Sequence, residues 1–412
     1  MKLKKIICTA LSLTLIGTLF VPTLSASAAG NHAFSVGTNY GLFDVNTSSD
    51  ATNACDLYAI AGYTSNYTTE PTVSIMRGNF QDGTKRIQSD ILFFSGHGNT
   101  NSVVFNFKNK GGNYKTGVYN SEDWTSTSSG YGYVGLKGNM GSVKLITLAA
   151  CETASGTNNI TRYAKDQGAD AAVGWTTTVG ASSHTKWLAR YNDKLATGST
   201  VYAAISYANS FSYSDNAVKN AYVYGNGNIT IKRTRSAAYA AEEANLHEIA
   251  TEKALVANSN GLNINAVTAM LEKSVDNFDS TCFKPVTHKN GEDYYTVDYI
   301  QMVNGFETNS CITVLIQNNT IDKVIDNRHD INVKSPMLTS KSGMASSVFS
   351  AENIMLEARE LTERATSKTV KDQTGNFHFD VETGKLQYIV LTTYYFDGTD
   401  ALGVDEYIKD II

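Results

Sequence analysis

Two stretches, residues 90–95 and 143–150, are nearly continuous apolar runs of only six and eight residues. Runs that short, with no polar face, are what strands buried on both faces require. Such strands belong in a parallel sheet covered by helices. The flanking sequence agrees. Strand-like segments at 32–38, 71–76, 171–177 and 222–231 alternate with helical patterns at 50–63, 85–89, 159–167, 184–196 and 201–210. That alternation predicts an α/β unit with a mostly parallel sheet flanked by helices. Asp50 is a candidate N-cap for its helix. Residues 99–142, rich in Gly, Asn, Ser and Tyr, read as an excursion of hairpins and loops, with strand-like pieces at 103–107 and 131–136.

After Lys232-Arg233-Thr234-Arg235 the texture changes. Residues 237–257, 265–275 and 350–366 read as helices; 294–304, 310–317, 320–326, 376–382 and 386–395 read as antiparallel strands joined by Gly and Asn turns. The expected organisation is therefore a catalytic-sized α/β unit at 30–235 and a smaller α+β domain at 236–412. Charge divides the chain at the same place. Residues 30–235 carry 17 Lys and Arg against 13 Asp and Glu, whereas 236–412 carry 14 against 26. Opposite signs favour docking of one half on the other, and no basic stripe suited to nucleic acid stands out.

Residues 1–28 read as a secretory signal peptide: Lys2, Lys4 and Lys5, then an apolar run from Ile6 to Val21, then Ala26-Ser27-Ala28. The expectation is export, with no membrane span after cleavage. Four cysteines remain, Cys55, Cys151, Cys282 and Cys311, too few for a disulfide scaffold, although Cys282 and Cys311 are far enough along to pair with each other. No close Cys or His spacing suggests a metal, and no motif implies a cofactor.

The two apolar runs also carry the chemistry. The first ends in Ser95-Gly96-His97-Gly98 and the second in Ala149-Ala150-Cys151-Glu152. In open α/β sheets, sites assemble at the carboxyl ends of strands. A thiol attacks as thiolate, so a nucleophilic Cys151 needs a base such as His97. In that role His97 takes the thiol proton and returns it to the leaving amine. The backbone N–H groups of Gly98 and Cys151 are the candidate oxyanion donors. Of the other histidines in this half, His32 is expected at the surface and His184 at a helix start.

With His97-Gly98 and Ala150-Cys151 each after an apolar strand, the sequence resembles the caspase-like cysteine peptidase clan, which includes caspases, metacaspases, gingipains, clostripain and CHAT domains. The likeness covers roughly residues 32–231 and is supported by Ala33–Tyr40 and by the run Ala149–Ala154. It implies an endopeptidase working through a Cys151–His97 dyad and a thioacyl intermediate on protein or peptide substrates. Ala149 stands where basic-specific members carry Asp, so cleavage after Arg or Lys depends on an acid from the first-strand loop, Asp44 ahead of Asp50; Trp175 and Thr176 are further candidates for the pocket wall. Residues 285–400 resemble peptidase-propeptide (PepSY-like) modules, which implies that the acidic domain inhibits or chaperones the first. Cleavage at Arg233 or Arg235 would separate the two. The competing expectation is a catalytically inactive caspase-like protein binding a surface or cell wall.

Overall fold

A computed structural model describes residues 31–41, 44–109, 112–125, 132–232, 248–249, 254–258, 261–329, 350–365, 368–396 and 398–411. Arg233, Arg235, the segment 1–30 and most of the helix expected at 237–257 lie outside the described residues.

The first half contains β1 (His32–Val36), α1 (Ser48–Ile60), β2 (Thr64–Thr68), α2 (Val73–Arg77), β3 (Ile91–Ser95), β4 (His97–Gly98), β5 (Ser102–Asn109), β6 (Gly112–Tyr119), β7 (Trp124–Thr125), β8 (Gly132–Gly135), β9 (Leu145–Ala149), α3 (Ile160–Asp166), β10 (Ala171–Trp175), α4 (Ala181–Thr197), α5 (Val201–Asn209) and β11 (Ala221–Gly225). Six of these strands form one sheet in the order β11-β10-β9-β3-β1-β2, parallel except for β11. The expected α/β class is what the chain adopts, with this mostly parallel sheet beside a larger mixed one. β3 and β9 are adjacent and buried along their whole length, in the register Ser95↔Ala149. One apolar cluster covers each face of the sheet. Trp175, Trp187 and Tyr191 lie in the first; Phe34, Phe94 and Phe105 lie in the second.

Several local expectations give way. Residues 71–76 alternate like a strand, but Val73–Arg77 is a short helix, because Thr72 caps it by accepting from Ile75 N at 3.1 Å. The strand at this edge is β2 instead. Thr47 is the N-cap position of α1, so Asp50 lies inside the first turn and is not the cap. His32 is buried, since β1 lies between β2 and β3; its ring stacks on Phe80 and meets Asp82 at 2.7 Å. His184 is buried too, edge-on to Trp175 at 4.3 Å, and burial pushes its pKa down to about 3.

The second half contains β12 (Glu248–Ile249), β13 (Ala257–Asn258), β14 (Gly261–Leu262), α6 (Ile264–Ser274), β15 (Phe283–Lys289), β16 (Tyr294–Val303), β17 (Phe306–Gln317), β18 (Thr320–Asn327), α7 (Ala351–Glu363), β19 (Lys368–Asp380), β20 (Lys385–Phe396) and β21 (Leu402–Asp410). Its strands pair antiparallel apart from β17 with β19. Cys282 is exposed, Cys311 is buried, and both are free thiols, so the two do not pair. Among the described residues, no helix is long and apolar enough to cross a membrane.

The halves meet in several places, two of which bear on the site. β21 pairs with β4 through Leu402 and Gly98, which makes the excursion strands β4 to β8 continuous with the sheet of the second half. Elsewhere, β16 docks through a buried polar cluster. Lys219 Nζ meets Asp298 Oδ2 at 2.6 Å with both side chains about 1% exposed, while Asn290 Nδ2 donates to the carbonyls of Lys219 and Ala221 at 2.8 Å.

Candidate active site

β3 and β9 end side by side, which brings Gly98 directly against Ala150 and Cys151: a Cβ on Gly98 would stand 2.6 Å from Ala150 Cβ and 3.0 Å from Cys151 O. Gly96 is equally constrained, since a Cβ there would lie 2.5 Å from the Tyr40 hydroxyl. Both glycines therefore serve close packing of the His97 segment, and neither has a positive φ. His97 and Cys151 line one cavity of about 20 Å³, shared with Asp50, Ser95, His184 and Val404, which has room for little more than one water.

His97 is 2% exposed. Its backbone N–H donates to the Tyr40 hydroxyl at 2.9 Å, and that hydroxyl donates to Val104 O. The ring packs among Tyr40, Phe396 and Tyr394, with centroids at 4.3, 4.9 and 5.5 Å. Its Nε2 lies 3.3 Å from Asp44 Oδ1. Asp44 also accepts from the Tyr394 hydroxyl at 3.2 Å and faces Lys368 Nζ at 3.6 Å as an ion pair. Burial would raise the Asp44 carboxyl, but the His97 hydrogen bond and the charges of His97 and Lys368 outweigh it and hold the group at about 2. Two of these partners, Lys368 on β19 and Tyr394 on β20, come from the second half.

Cys151 is 4% exposed. Its thiol points to the Val179 carbonyl at 3.7 Å and receives the Val179 N–H at 3.4 Å. Burial in apolar surroundings pushes it up to about 12, so in this arrangement it stays a thiol. Among the described residues, no hydrogen bond links it to His97. The turn that follows is tight: Glu152 has φ 58°, a left-handed conformation uncommon for a residue with a side chain.

The remaining pocket candidates need correction. Asp44 is the orienting partner of His97 and does not line the cavity. Ala149 and Trp175 are core residues, with Trp175 Nε1 donating to Val218 O at 2.8 Å. Thr176 bonds the Asn220 carbonyl at 3.4 Å. The acid that faces the cavity is Asp50. Its Oδ2 accepts from Ser95 Oγ at 2.7 Å, and burial raises it to about 6 against the hydrogen bonds of Ser95 and Thr185.

The last strand lines the cavity with Gly403 and Val404. Leu402 and Val404 join the apolar cluster that holds Cys151, Val179 and Trp175. Gly403 lies against the histidine so closely that a Cβ would be 2.5 Å from His97 Cε1. The sequence carries a partial signal for this strand, in the alternation Leu402, Val404 against Gly403, Asp405, but Glu406 breaks it. No known protein-family model matches the chain, and no curated protein matches it significantly.

Proposed function

We propose that the chain is an exported cysteine endopeptidase held shut by its own acidic second half. The observation that carries this reading is the placement of His97 and Cys151 at the carboxyl ends of two adjacent, register-matched parallel strands, on one cavity. On this reading, His97 accepts the Cys151 proton and the thiolate attacks the scissile carbonyl carbon, forming the C–S bond. The tetrahedral intermediate is held by the N–H groups of Gly98 and Cys151. It collapses as His97 protonates the departing amine and the C–N bond breaks. Water, deprotonated by His97, then cleaves the thioester, and the carboxylic acid leaves with Cys151 restored as the thiol. Asp44 orients the imidazole. Asp50, at the cavity wall, suits a P1 Lys or Arg better than Asp44 does. The second half supplies the inhibition through β21, Lys368 and Tyr394, and scission near Arg233 or Arg235 is the proposed route to release.

A second reading, a caspase-like binding protein without catalysis, draws on the same geometry: His97 is engaged with Asp44 and the thiol with Val179, each away from the other. Thiol reactivity separates the two. In protein whose β21 contact has been weakened, iodoacetamide is expected to label Cys151 well ahead of Cys55, His97→Ala to remove that advantage, and a fluorogenic P1 peptide library to be cleaved. Equal slow labelling with no turnover supports the binding protein.

A further inference from the structure

Successive side chains of a strand point to opposite faces, and β21 uses its two faces differently. Leu402, Val404 and Glu406 face the first half. Leu402 pairs with Gly98, Val404 packs with Cys151 and lines its cavity, and Glu406 reaches the start of α4. On the other face Gly403 lies against the His97 ring, while Asp405 turns to its own domain, bonding Lys368 Nζ at 2.7 Å and Thr362 Oγ1 at 2.9 Å. An added strand whose alternate residues enter successive pockets is how extended peptides are bound at a sheet edge.

The Glu406 contact is built for a carboxylate. α4 is a 17-residue helix whose N-cap, Gly180, has no side chain to accept from its first turn. Glu406, 223 residues away in sequence, supplies that acceptor: its Oε1 receives the Ser183 N–H at 2.7 Å, and its Oε2 receives Ser183 Oγ at 2.9 Å and also Ser214 Oγ. Gly180 leaves the space for it, since a Cβ there would stand 2.4 Å from Oε1. Ser183 Oγ is itself aimed by accepting the Asp215 N–H at 3.0 Å. Two carboxyls also face the start of α4: Asp215, which accepts from Gly180 N at 2.6 Å, and Asp50, on the cavity wall beside Ala181 and Thr185. The positive end of the helix and three donors converge on Glu406 against them. The same helix start carries Val179, which holds the Cys151 sulfur.

We propose that β21 lies in the groove as a substrate strand does, and that the groove has an acidic-residue subsite, formed by Ser183, Ser214 and the α4 N-terminus, two positions along from the residue facing Cys151. The inference rests on the groove being the substrate groove. It adds the substrate class: extended peptides with Asp or Glu two residues beyond the one that faces the cavity.

The test uses the full chain and needs no turnover. Glu406→Gln is expected to raise iodoacetamide labelling of Cys151 at least several-fold relative to the exposed Cys282. A synthetic peptide of residues 400–412 should restore protection. The same peptide carrying Glu406→Gln should need roughly tenfold more, the loss typical of one charge-assisted contact. Ser183→Ala in the protein should abolish the difference between the two peptides. If Glu406→Gln is poorly folded by circular dichroism, Ser214→Ala serves as the opening variant. Equal protection by the two peptides overturns the subsite, whatever the chain hydrolyses. Selective protection without any hydrolysis keeps the subsite and removes the peptidase reading.

Discussion

Gly403 brings β21 against the candidate base. A methyl at this position has no room, standing 2.5 Å from Cε1 and 2.6 Å from Nδ1 of His97. Gly403→Ala is therefore expected to cost about 1–3 kcal/mol as overpacking, taken out of the β21 contact and not out of the parallel sheet. Thermal unfolding should show a weaker second half, and Cys151 should alkylate faster while Cys55 does not change. Lys368 is the second such residue. It is buried, pairs with Asp405 at 2.7 Å and lies over the Tyr394 ring at 4.2 Å. Lys368→Met leaves Asp44 and Asp405 short of a cation, an expected loss of about 3–5 kcal/mol for a broken buried pair, measured by denaturant unfolding. At this scale the sequence spoke unevenly. His97 and Cys151 could be singled out because each ends an apolar run. The roles of Asp44 and Asp50 could not be separated, because whether a loop acid meets a histidine or a cavity is decided by a third strand far along the chain.

Elements that bury both faces were legible, and those that bury one or none were not. β3 and β9 announce themselves by composition, whereas β2, with the burial of an edge strand, has the polar sequence Thr64–Thr68. β21 went unread because its alternation ends at Glu406, whose partner is a helix start and not a core. Two acids at the ends of elements facing this region set a pH response. Burial raises Asp50 on α1 and Asp215 before residues 216–219 to about 6 each. A raised carboxyl contributes stability below its unfolded value near 4, and that stability is lost as pH rises toward 6. The lowered acids Asp44 and Asp298, at about 2, contribute stability above 4 that is lost as pH falls toward 2. The melting temperature is therefore expected to peak near pH 4 and to fall by about pH 6.5. Asp215→Asn should flatten the upper limb, and an unchanged upper limb in that variant would remove Asp215 as its cause.

The two halves of the chain meet through contacts of different kinds, and on the proposed reading this decides which contact gives way when the site opens. β21 meets the first half through a glycine, two aliphatic side chains and one carboxylate. The docking of β16 rests on Lys219 and Asp298, fully buried, with His288 Nε2 at 3.4 Å and Thr313 donating at 2.8 Å to the same carboxylate. Breaking one partner of such a pair strands the other charge, at about 3–5 kcal/mol, whereas replacing both with apolar groups of similar volume is near neutral. Lys219→Met is thus expected to weaken docking strongly, and Lys219→Met with Asp298→Leu to recover most of it. Cys151 labelling distinguishes a molecule that opens as one body from one that opens at a hinge. If β21 lifts while β16 stays docked, Gly403→Ala raises labelling and Lys219→Met with Asp298→Leu leaves it at the wild-type rate. If the second half leaves as a unit, labelling in every variant tracks the loss of docking stability. The contrast in the two interfaces favours the first outcome, because the buried polar cluster loses a stranded charge on parting and the β21 contact loses mainly apolar packing and one carboxylate.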